Sequence, residues 1–99
     1  MSADTMRTRV LLSLQRALLG EVFPSLRAVT AEWVPERVQF WAYVDGEPRH
    51  EDIEALSCVS AEVAADFEPG VEVDHHVVRK DAPAPIEDLR TYVYRRQEP

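Results

Sequence analysis

The chain has 99 residues, 45% of them apolar and 29% charged, and its 18 acids outnumber its 11 bases to give a net charge of −7. That length holds one domain, 1–99, with frayed ends expected at 1–5 and 97–99, and it buries roughly two-thirds of its extended-chain surface on folding. The single cysteine, Cys58, excludes an internal disulfide and fits a cytoplasmic protein, while the acidic balance argues against nucleic acid and anionic membrane as partners.

The first helix is expected over 6–22. Val10, Leu11, Leu14, Leu18 and Val22 recur at helical spacing, Asp4 or Thr5 can cap the start, and Pro24 forces an end. Its apolar run is broken at Ser13, so neither a signal peptide nor a membrane span is expected. Gly20 reads either as a C-terminal cap or as a point where a neighbouring helix comes close. Two alternating runs follow, 26–34 and 38–44, separated by Pro35, Glu36 and Arg37, and together they read as a hairpin.

After a turn at 45–48, a second helix is expected over 50–67. Its buried stripe is Ile53, Leu56, Val59 or Ser60, Val63 and Phe67, and Glu51 and Asp52 lie in the first turn, where the helix dipole favours them. Glu68, Pro69 and Gly70 stop it. A strand at 71–79, an extended loop at 81–88 holding Pro83 and Pro85, and a strand at 89–96 complete the chain. The expected fold class is α+β: a two-layer sandwich in (αββ)2 order, with a four-stranded antiparallel sheet and two helices on one face.

Parity along the strands then assigns an open face. If Val38, Phe40, Ala42, Val44, Val71, Val73, Val77, Leu89 and Val93 look toward the helices, the other side carries Gln39, Trp41, Tyr43, Glu72, Asp74, His76, Arg90, Tyr92, Tyr94 and Arg96. Trp41, Tyr43, Tyr92 and Tyr94 are the candidates there for a partner or homodimer contact, since large aromatics concentrate at binding hot spots. Cross-strand stiffening of an exposed sheet explains the same residues without a partner.

Charge is the second signal. Between Asp45 and Asp74 ten acids face Arg49 alone, a sum of −9, while each flank sums to +1. The second helix carries the densest part, Glu51, Asp52, Glu54, Glu62 and Asp66, and these are the candidate binding residues for a basic protein partner. The default reading of Glu51, Asp52, Glu54 and Glu62 is a solvated helix face stabilised by the helix end. Of catalytic chemistry there is little: neighbouring carboxylates disfavour a reactive Cys58 thiolate, and no nucleophile elbow or phosphate loop is present. His75 and His76 are adjacent on a strand and point to opposite faces, so no metal site and no cofactor are expected.

The phrases ALLGEVFPSLRAV at 17–29, YVDGEP at 43–48, EVAADF at 62–67 and RKDAPAP at 79–85 together resemble a family of small bacterial proteins without an assigned activity. The resemblance brings no catalytic residues. In that pattern Arg49 and His50 stand where a capping Ser or Asp is preferred, which implies a poorly capped second helix. The expected function is a non-enzymatic protein-binding module, by analogy of size and charge an immunity or antitoxin-type inhibitor of a basic partner. The alternatives are a homodimer through the aromatic sheet face, and a small-molecule site or unrecognised enzyme near His75 or His76.

Overall fold

The structure, a computed structural model, describes the backbone of residues 3–99 and the side chains from residue 5 onward. Of the amino-terminal end expected to fray, Met1 and Ser2 lie outside the described residues. Helix α1 spans Ala3–Leu18 and so begins ahead of both Asp4 and Thr5, neither of which is its cap. It buries Met6, Val10, Ser13, Leu14, Ala17 and Leu18. Val22, expected in that stripe, is exposed beyond the helix end. Gly20 has φ +81°, which settles its role as the residue that turns the chain out of the helix.

Strands β1 (Leu26–Val34) and β2 (Arg37–Val44) form the expected antiparallel hairpin. Helix α2 covers His50–Ala65, followed by β3 (Glu72–Arg79) and β4 (Thr91–Arg95). The sheet order is β3-β2-β1-β4. Two helices thus share one face of a four-stranded sheet, in the αββαββ order expected. The all-antiparallel expectation is corrected at one ladder: β2 and β3 run parallel. The cause is the connection. α2 carries the chain back along the sheet to the end where β2 began, and a strand laid down from there points the same way as β2.

The order has a second consequence. β3 and β4 occupy opposite edges, so the segment joining them must cross the whole sheet. The helices fill one face, and residues 81–90 therefore cross the other. Two bulges adjust the central pairings. Arg27 is the extra residue of β1 against β2, and Val93 the extra residue of β4 against β1. Each reverses the inward–outward alternation of its strand.

The core lies between helices and sheet. Val38, Phe40, Ala42 and Val44 alternate inward from β2 and meet Val10 and Leu14 of α1 and Leu56, Val59 and Val63 of α2. Leu26, Val29 and Ala31 fill the β1 position, and Phe23 and Phe67 close the ends. Ile53, expected in the α2 stripe, is 37% exposed because Asp52 takes the inward position one turn before Leu56. Leu89, expected to face the helices, is fully exposed and precedes β4. Val73 and Val77 are half-buried, as an edge strand allows.

Candidate partner-binding surfaces

The five acids proposed for a binding face separate into two groups. Glu51, Glu54 and Glu62 recur along one side of α2 with Cys58 between them, all exposed to solvent. Glu54 Oε1 lies 3.0 Å from His50 Nε2, and Glu51 Oε2 lies 3.7 Å from the Arg49 guanidinium. Glu62 has no ion pair among the described residues. No Lys or Arg interrupts the helix from His50 to Ala65.

Asp52 and Asp66 have other work. Asp52 sits four, seven and eleven residues before Leu56, Val59 and Val63, which turns it inward; its side chain is 2% exposed. It accepts the Arg49 backbone N–H at 3.1 Å and the Arg49 guanidinium at 3.0 and 3.2 Å. The guanidinium holds the Asp52 carboxyl below the ordinary carboxylate range, against the opposing effect of burial. The start of α2 is therefore capped after all, by an acid three residues inside the helix that reaches back to the N-cap N–H. Asp66 accepts the Ser13 hydroxyl at 2.7 Å and faces Arg16 at 3.4 Å, which ties α1 to the end of α2. Arg9 adds to the same joint, with Glu68 at 3.2 Å and the Phe67 ring beneath its guanidinium.

The four aromatics do not form one surface. Tyr92 pairs with Thr30 on the outer face, but the bulge at Val93 puts Tyr94 opposite Val29, and Tyr94 packs on the core between helices and sheet. Trp41 does face outward, yet its ring is covered: His76 stacks beside it at 4.8 Å and the Arg90 guanidinium lies 3.7 Å from its centroid. His75 takes the opposite face, stacked on Phe40, so the two histidines diverge as adjacent strand residues must. Among the described residues no group of three His, Cys, Asp or Glu converges on a metal position.

Tyr43 is held under the crossing segment by Asp88, whose side chain is 1% exposed. Asp88 Oδ2 accepts the Tyr43 hydroxyl at 2.6 Å and the Thr30 hydroxyl at 2.7 Å, while Oδ1 accepts the Arg90 N–H at 2.8 Å. Burial pushes its carboxyl up, but the hydrogen bonds from Tyr43, Arg90 and Thr30 together outweigh it and leave the group below its ordinary range. Burial and the Asp88 contact raise the Tyr43 phenol to about 12. A second anchor stands at the opposite end of the same face. The Arg27 guanidinium, brought there by the β1 bulge, donates to Glu98 at 2.7 and 2.8 Å and to the Lys80 carbonyl at 2.6 Å. Arg27 and then Arg96 lower the Glu98 carboxyl to about 2. Residue 98, expected in a frayed end, is thus clamped to the central strand.

Asp88 and Arg27 are the residues that pattern reading missed. Arg27 did carry a signal, being a charge between Leu26 and the apolar Ala28 and Val29 at the start of the strand. Asp88 carried none, because an acid in a Pro-containing loop is ordinary.

Beyond the Asp88 anchor the crossing segment leaves a groove of about 670 Å3 against the end of β1. Its walls include Glu32 and Trp33 on one side and Glu87, Leu89 and Arg90 on the other. β4 pairs with β1 only as far as Ala31–Thr91, whereas β2 pairs on to Val34. Glu32, Trp33 and Val34 therefore have a neighbouring strand on one side alone.

Residues 7–98, nearly the whole chain, match the family described as MafI2 immunity protein. The chain belongs to the MafI2 immunity protein family. The resemblance to small bacterial proteins is thereby made specific, and its lack of an assigned activity is corrected: this family is described by an immunity role. The chain is accordingly an immunity-type, protein-binding module, as expected from size and charge. A comparison with curated proteins gives no match. No helix among the described residues is long and apolar enough to cross a membrane.

Proposed function

We propose that this chain is a non-enzymatic immunity protein that neutralises a toxin protein with a basic surface, docking it against the outer side of α2. The observation that carries this is the uninterrupted acidic side of that helix. Glu51, Glu54 and Glu62 project to solvent, and the acids that would have diluted their role, Asp52 and Asp66, are spent on internal contacts. A row of carboxylates on a rigid helix raises the encounter rate with a cationic surface and penalises acidic partners, which is how charge supplies specificity. The immunity description of the family supports a partner of this class.

The test is neutralisation. The chain is co-expressed with each toxin-domain candidate encoded beside it in its source bacterium, and the complex that forms is measured by surface plasmon resonance. Protection by the wild-type chain, and an association rate that drops about 10-fold or more in the Glu51→Lys/Glu54→Lys/Glu62→Lys variant and falls with added salt, is the expected result. An association rate indifferent to both salt and charge reversal would remove the α2 face from the reading. Failure of the wild-type chain to protect against any candidate would remove the reading itself.

A further inference from the structure

The groove beside the end of β1 belongs to no contact described so far, and three of its features point to one occupant. Its floor is a strand edge. Glu32–Val34 pair with β2 but have lost β4, because Asp88 draws the chain onto the outer face before it can extend β4 past Thr91. Alternate residues of a strand turn N–H and C=O toward a given edge, so this stretch offers backbone partners to an added strand. Its rim is apolar and fixed in place. Leu89 is fully exposed, yet it is held between the anchored Asp88 and the first residue of β4, and Trp33, half-buried against the core on the helix side of the strand edge, lines the same groove. A rigid exposed leucine loses little freedom when it is covered. Its charge is negative. Asp88 is buried and spent on Thr30, Tyr43 and Arg90, and Glu32 is paired at 3.5 Å with the Arg90 guanidinium, which also covers the Trp41 ring; Glu87 is exposed with no ion pair among the described residues and is the acid left for a partner.

We infer that this groove captures an extended arm of the partner protein, which adds as a short strand to the Glu32–Val34 edge, seats one apolar side chain between Trp33 and Leu89, and sets a Lys or Arg against Glu87. The inference rests on the toxin-binding reading above. An arm fits where a helix does not, because only an extended backbone can complete a strand edge. α2 packs over the β3 side of the sheet while the groove lies at the far edge of β1, in a molecule measuring 39 × 26 × 18 Å. An extended arm of about a dozen residues spans roughly 40 Å, which is enough to reach from a toxin body on α2 round to the groove.

The experiment has two arms. In the first, the toxin domain neutralised by the wild-type chain is titrated against wild type, Leu89→Asp and Glu87→Lys, with 15N-labelled wild-type chain followed by NMR. The expected result is affinity about 10-fold weaker or worse for Leu89→Asp and a smaller loss for Glu87→Lys. Because both side chains are exposed, their urea midpoints should match wild type, and the amides of Glu32–Val34 should shift on binding. Leu89→Asp binding within about two-fold of wild type, with those amides unmoved, overturns the inference while leaving the immunity reading intact. In the second arm, displayed random peptides of about eight residues are panned on the wild-type chain, which needs no toxin at all. Enrichment of peptides alternating basic and apolar residues, which shift the Glu32–Val34 amides and fail to bind Leu89→Asp, supports the groove. If no toxin candidate binds and no such peptide is recovered, the inference falls with the reading.

Discussion

Asp88→Ala is the substitution that most directly probes how the outer face is built. In the folded chain this carboxylate accepts the Thr30 hydroxyl at 2.7 Å, the Tyr43 hydroxyl at 2.6 Å and the Arg90 N–H at 2.8 Å. Thr30 is 0% exposed, so its hydroxyl has no water to turn to when the carboxylate goes. A buried hydroxyl left without a partner costs about 1–3 kcal/mol, and breaking a buried charged network typically costs about 3–5 kcal/mol in all. A loss of about 3–4 kcal/mol is therefore expected from a domain whose total stability is of the order of 5–15 kcal/mol. With a urea dependence of about 1–2 kcal/mol per molar, the unfolding midpoint should fall by about 2 M. Asp88→Asn keeps the volume and one carbonyl acceptor, so it should lose only about 1–2 kcal/mol. Tyr43→Phe, destabilising in wild type by about 1 kcal/mol, should cost almost nothing on top of Asp88→Ala, since the contact it removes is already gone. Equilibrium urea unfolding followed by tryptophan fluorescence reads wild type and the four variants alike. If Asp88→Ala unfolds within about 1 kcal/mol of wild type, or if the two effects simply add, the carboxylate is not the pin described above.

Other contacts give equally direct expectations. Asp52→Ala removes the acceptor at the start of α2 and should cost about 1–2 kcal/mol in the same unfolding experiment, whereas Glu62→Ala, on the solvent side, should stay within about 0.5 kcal/mol. Phe40→Ala opens a cavity at the centre of the core and should cost about 3–5 kcal/mol, read as a fall in thermal midpoint by calorimetry. For pH, Glu98 has its carboxyl lowered from 4.5 to about 2 by Arg27 and Arg96. A carboxyl depressed in the fold stabilises the protein above its unfolded pKa and loses that contribution as pH drops through the folded one, here between 4.5 and about 2. Glu98→Gln should therefore be less stable than wild type at neutral pH and indistinguishable from it below that window. A constant gap between the two proteins, measured by circular dichroism across the same range, would contradict the assignment.

The sequence made the elements legible because their signals are local. The 26–34 strand is found at the positions its alternation indicates, and β2, α2 and β3 begin or end within a residue or two of theirs. What escaped were features decided by the path of the chain. Alternation in β3 is the same whether it pairs parallel or antiparallel with β2, so the direction of that ladder had to come from the connecting helix. One bulged residue, Val93, inverted the side on which Tyr94 lies, since a period of two has no tolerance for an inserted residue. Asp52 reads as a solvent acid in a first turn and lies inward because the same position serves the cap and the core. Of the five candidate acids on α2, charge and spacing indicated Glu51, Glu54 and Glu62 as a solvent-facing row, and the structure leaves those three exposed. The groove was not indicated, as it exists only because a loop with no pattern of its own is drawn across the sheet.

The strand order also sets an order of events during synthesis. β1 is the central strand together with β2, yet one of its flanks is filled by β4, about 60 residues later in the chain. Until those residues leave the ribosome, the hairpin, both helices and β3 can gather around an unfinished sheet, with the β1 flank bare and Arg27 without its Glu98 partner. That intermediate resembles an edge-exposed aggregation template more than a folded protein. Closure waits for the final segment, and the speed at which it arrives decides how long the nascent chain is at risk.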